Sequence, residues 1–131
     1  MSALDQQDLG KLILRLTLGI LFLFHGIAKL TGGVAGIEGM VTGAGLPSVL
    51  AYGVLLGEVV GPLLLIFGFY ARIGAILIAI NMLFAIGLAH MGELGQLNET
   101  GGWALELQGM FLFTAIALML LGPGRFSLNQ R

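Results

Sequence analysis

Cysteine is absent from this sequence, and charge is scarce. Without a thiol there is no disulfide, no thiol redox couple, no thiolate metal site and no cysteine-bound iron–sulfur cluster. Any redox role must therefore use a cofactor held by other ligands, or a partner subunit. Lysine and arginine number 6, aspartate and glutamate 7, and the net charge is −1, so no basic patch argues for nucleic acid. Charged residues make up 10% of the 131, against about 25% in a typical soluble domain. That is too few to coat a globular surface.

What is present is apolar: 57% of the residues are hydrophobic. They gather into four runs, at 12–30, 49–69, 73–91 and 103–121. Each approaches the roughly 20 residues needed to cross a ~30 Å hydrocarbon core. The expectation is an all-α, integral membrane four-helix bundle forming a single domain over 1–131, with the lipid bilayer as its solvent. Lys11 and Arg15 precede "LTLGILFLF", but Asp5 and Asp8 sit where a signal peptide is basic, and no A-x-A-like site follows. A retained helix is expected.

An even number of crossings puts both termini on one side. Lys11, Arg15, Arg72, Arg125 and Arg131 would share that side, and Lys29 would stand alone on the other. The positive-inside rule then predicts a multi-pass protein with both termini cytoplasmic. In the first outer connection, Val34, Ile37, Met40 and Val41 fall at helical spacing, which predicts a short interfacial helix. Trp103 marks the re-entry of the fourth run into the interface.

Two sets of small residues read as packing seams. Gly53, Gly57 and Gly61 form a ladder in the second run; Gly19 and Gly26 share one face of the first run with Arg15, Phe22 and Lys29. Such seams suit helix packing within the bundle or across a homo-oligomer. Beside the ladder lies Glu58, near the middle of "LLGEVVGPLLL". A charge at that depth costs at least ~2.5–3.5 kcal/mol on insertion scales. Pro62 has no N–H, so the Glu58 carbonyl also loses its ordinary donor four residues on. One helical turn thus offers a buried carboxyl and a freed acceptor. Either a polar ligand uses them, or the protein uses them itself as a clamp to Arg15 or Asn81.

The other polar candidates are His25 and His90, both toward the outer end, Lys29, and Glu106 at the start of the fourth run. Two histidines and two carboxylates suggest proton relay, but no H-x-x-x-H or E-x-x-H pair is present, and no metal site is expected. Asn81 and His90 are nine residues apart, on opposite faces of a regular helix.

Three stretches, "RLTLGILFLFHGIAKL" at 15–30, "GEVVGPLLLIFGFYARIGAILIAINMLFAI" at 57–86 and "GPGRFSLN" at 122–129, resemble the DoxX family. The resemblance implies a small four-helix protein of the bacterial inner membrane, associated with quinone-linked or redox-defence oxidoreductases. It directs attention to Arg15, His25, Lys29, Glu58 and His90. The leading expectation is a membrane subunit of an oxidoreductase, working with redox partner proteins and binding a quinone within the bundle. A small proton-coupled carrier using Glu58, and a non-catalytic scaffold recruiting partner helices, are the alternatives.

Overall fold

The computed structural model describes residues 2–32, 35–87, 92, 95–97 and 99–131. The side chains of 29, 30, 32, 35–37 and 40 also lie outside that description. Among the described residues there are five helices and no strand: α1 (Ala3–Gly32), α2 (Ala35–Gly43), α3 (Leu50–Phe67), α4 (Ala71–Ala85) and α5 (Glu106–Leu121).

Helix α1 begins well before the apolar run at 12–30, because "SALD" is a start signal. The Asp5 N–H donates to Ser2 Oγ at 3.1 Å and the Ser2 N–H donates to Asp5 Oδ2 at 3.2 Å, a reciprocal capping pair. Helix α2 occupies the connection where an interfacial helix was expected. Helix α3 stops at Gly68, whose φ of 66° is open to glycine at little cost. There the Gly68 N–H bonds the Leu65 carbonyl and the Phe69 N–H bonds that of Leu64, satisfying two orphan acceptors. Helix α5 begins at Glu106 and not at 103, since Trp103 is taken up in an isolated bridge with Leu97.

The helices pack antiparallel where glycines let backbones meet. A Cβ on Gly19 would lie 3.1 Å from the Pro62 carbonyl oxygen, and one on Gly26 would overlap the Glu58 carbonyl. These contacts seat α1 on α3. Gly61 and Gly74 face each other in the same way, each against the other's carbonyl, and seat α3 on α4. Helix α5 closes against α4 and, more lightly, α1. Leu18, Phe22, Leu65, Ala75, Ile78 and Ala115 fill the interior. The outside is equally apolar: Ile20, Phe24, Leu56, Leu63, Ile80, Leu83, Met110 and Phe113 are all exposed. A water-soluble helix keeps its outer face polar; these suit hydrocarbon. Helices α1 and α3 are long and apolar enough to cross a membrane. Helices α4 and α5, with 15 and 16 residues, extend about 22 and 24 Å at 1.5 Å per residue.

At one end the C-terminal segment is threaded between α1 and the α3–α4 turn. Backbone N–H groups of Leu128 and Asn129 donate to the Phe67 and Gly68 carbonyls. Asn129 Oδ1 accepts from the Tyr70 N–H at 2.9 Å, holding Tyr70 at a φ of 48°, a conformation uncommon outside glycine. Arg125 pairs with Asp5 and reaches Asp8 at 3.8 Å. Arg15 does not snorkel to the surface. It is 1% exposed, and its Nη2 donates to the Phe126 carbonyl at 2.7 Å.

Candidate functional site

Glu58, His25 and Gln108, from three different helices, line one cavity of about 170 Å³. Phe22, Met82 and Phe111 supply its apolar wall. Glu58 is 3% exposed and is engaged in a polar interaction. Its position follows from the α1–α3 seam: glycine at 26 lets α1 come down on the freed Glu58 carbonyl, an approach that a Cα–H can make and a side chain cannot. Pro62 supplies that freedom by lacking the N–H that would otherwise occupy the carbonyl.

His25 lies one turn above Phe22. Its ring sits 5.6 Å from that of Phe111, nearly perpendicular, and 6.1 Å from that of Phe22. Phe22 and Phe111 are themselves edge to face at 5.3 Å, a favoured aromatic geometry. Together they hold the imidazole at the cavity wall while its other side remains exposed. A buried carboxyl, an imidazole reaching the surface, and an amide with both donor and acceptor make a site able to hydrogen bond a polar headgroup and exchange its proton.

The remaining candidates are distributed elsewhere. The α1–α3 contacts place Arg15 beside Gly68, ten residues along α3 from Glu58, or about 15 Å. Arg15 is thus a partner of the C-terminal segment and not of Glu58. Asn81 is 5% exposed and lines a different cavity, between α3 and α4. Glu106 is exposed in the first turn of α5, with its carboxylate over Gly102. The Lys29 side chain and the whole of His90 lie outside the described residues. Among the described residues, no three His, Asp or Glu side chains converge as metal ligands do.

The glycine candidates also separate. Gly19 and Gly26 face α3, Gly61 faces α4, and Gly57 borders Asn81 at ordinary contact distance; Gly53 has nothing within 4 Å and opens onto the α3–α4 cavity. Gln108 was missed in the sequence. Its signal is a neutral polar residue inside the fourth run, three residues before Phe111 and therefore on the same helix face.

The model of the DoxX family matches residues 10–91, more than half of the sequence. The chain belongs to the DoxX family. This DoxX chain is 37% identical over 125 residues to the Bacillus subtilis protein named "Putative oxidoreductase CatD", covering 93% of itself and 86% of that protein. It is 32% identical over 125 residues to the Escherichia coli protein named "Inner membrane protein YqjF", covering 95% and 92% respectively. No solved structure matches it. Family and apolar exterior agree that the DoxX chain is a membrane-associated protein.

Proposed function

We propose that this protein is a membrane subunit of an oxidoreductase, binding a quinone or similar amphipathic molecule in the cavity of Glu58, His25 and Gln108. The observation that carries this reading is the convergence of those three polar side chains on one cavity with aromatic walls. Gln108 would offer its amide to a polar oxygen of the ligand, Phe22 and Phe111 would give it an apolar wall, and Glu58 and His25 would hold and move the proton. A quinone, when bound, supplies the redox chemistry that this chain's own side chains lack. The names of the Bacillus subtilis and Escherichia coli relatives support an oxidoreductase context and an inner-membrane location.

The decisive variant is Glu58→Gln. Glutamine keeps the shape and hydrogen bonding of the neutral acid but cannot ionise. The variant is expected to fold with an unchanged melting temperature and to bind decylubiquinone, a short-tailed quinone, at least about tenfold more weakly, because an amide cannot take up or give up the proton that binding moves. Wild-type affinity in that variant would remove Glu58 from the site.

In this reading α1, α3, α4 and α5 all cross the bacterial inner membrane, as one domain, with both termini in the cytoplasm. The contacts of five cations support that orientation. Lys11 packs beside Gly124, Arg15 bonds Phe126, Arg125 pairs with Asp5, and the Arg72 N–H bonds the Arg131 carbonyl. Five cations thus collect at one end, which the positive-inside rule assigns to the cytoplasm. Compartment reporters fused after Gly124 and after Gly36 are expected to report cytoplasm and periplasm, respectively. A periplasmic signal at Gly124 would invert the arrangement.

A further inference from the structure

Asn81 has no part in the site just described, yet it is 5% exposed and its Nδ2 has no hydrogen-bond partner among the described residues. A buried amide donor left unbonded costs about 1–3 kcal/mol. Asn81 lines a groove of about 250 Å³ between α3 and α4. Gly53, Gly57, Leu56, Ile80 and Phe84 line it as well. Leu56 and Ile80 are exposed, so the groove opens toward lipid. Val41 of α2 packs with Ala51, Val54 and Phe84, the last two of which also line the groove.

The groove and the polar cavity stand back to back. Gly57 lines the first and Glu58 the second; Asn81 lines the first and Met82 the second. Gly57 contributes no side chain to the partition, and the nearest group to where its Cβ would be is Asn81 Cγ, at 3.7 Å. Asn81 stands ten residues into the 15-residue α4, about 15 Å from its start and about 6 Å from its end, within the apolar stretch of that helix. The groove mouth is rimmed by the exposed Leu56 and Ile80, so an acceptor that reaches Asn81 through it is carried by a molecule dissolved among the acyl chains.

We propose that the α3–α4 groove is the lateral entrance through which a lipid-dissolved, carbonyl-bearing ligand reaches the Glu58 cavity, with Asn81 donating the hydrogen bond it meets on the way. This rests on the reading of that cavity as a ligand site.

Rates separate the two. Trp103 is the only tryptophan, and its ring lies against Gly109, next to Gln108 in the chain. The part of its quenching by decylubiquinone in proteoliposomes that exceeds the quenching left in Glu58→Gln reports arrival in the cavity. Because the chain has no cysteine, Leu56→Cys on the groove rim can be alkylated alone with a bulky lipid-soluble maleimide. Alkylated Leu56→Cys and Asn81→Leu are expected to slow quenching about tenfold while the final amplitude stays that of wild type, since a gate changes entry and exit together. Leu56 is exposed, so its variant tests the entrance even where Asn81→Leu misfolds. Wild-type rates in the alkylated protein, with Glu58→Gln still weakening binding, would overturn the entrance and leave the cavity standing. Undiminished binding by Glu58→Gln, or no quenching in wild type, would instead remove the cavity reading and the entrance with it. Oxidation of unalkylated Leu56→Cys to a disulfide-linked dimer would show a second copy covering the groove, and would also overturn the proposal; no dimer is expected.

Discussion

Gly26→Ala lowers the melting temperature of the detergent-solubilised protein by several degrees, although alanine is the better helix former. Exchanging glycine for alanine inside a helix gains about 1 kcal/mol of propensity. At position 26 the added Cβ overlaps the carbonyl of Glu58 and comes within 3.1 Å of a Val59 methyl. A backbone carbonyl has no rotamer to escape into, so α1 must lift away from α3, and overpacking of this kind costs about 1–3 kcal/mol or more. The loss exceeds the gain. Gly57→Ala is the matched control, because its Cβ would meet Asn81 at 3.7 Å. There only the propensity term acts, and the variant is expected to melt at or slightly above wild type. Gly26→Leu should fail to fold. Equal responses at 26 and 57 would show that α1 does not rest on the Glu58 carbonyl.

Removal of residues 125–131 destabilises the protein by about 3–5 kcal/mol, the cost of leaving a buried charge without its partner. Among the described residues Arg15 has a single hydrogen-bond acceptor, the Phe126 carbonyl, while its Nε and Nη1 have no partner. The truncation takes that acceptor away. In an Arg15→Met background the same truncation is expected to cost much less, since no cation remains to be satisfied. Losses common to both backgrounds, such as the Asn129–Tyr70 bond, cancel in the double-mutant cycle. Arg15→Met alone should be close to neutral, because an apolar side chain of similar length often replaces a buried cation without penalty. Chemical denaturation of the four proteins in one detergent gives the coupling energy directly. A coupling near zero would mean that the terminal segment does not serve Arg15.

Both experiments address contacts that no local pattern announces. Glycine spacing marked Gly19 and Gly26 as a seam, but not that Gly26 would meet a carbonyl freed by Pro62 on another helix. Arg15 stands near the start of an apolar run, where a long cationic side chain ordinarily reaches back to the surface. Its burial depends on a segment 111 residues further along the chain. Gln108 was passed over for the same reason: one amide in an apolar helix has meaning only once His25 and Glu58 stand across from it.

Helical character, an apolar exterior and family membership are all legible in the order of the residues. These follow from composition and from run length, which act residue by residue through the solvent each side chain tolerates. The sequence also marked Glu58 as the position where something polar must be accommodated. Which polar groups meet depends on how the helices pack. Helix rotation and register are set by where backbones can touch, and in hydrocarbon no hydrophobic gradient between helices selects among faces. Glycines 19, 26, 61 and 74 made that selection by contact. It brought His25 and Gln108 to Glu58, turned Asn81 toward the α3–α4 groove, and left Arg15 to the C-terminal segment.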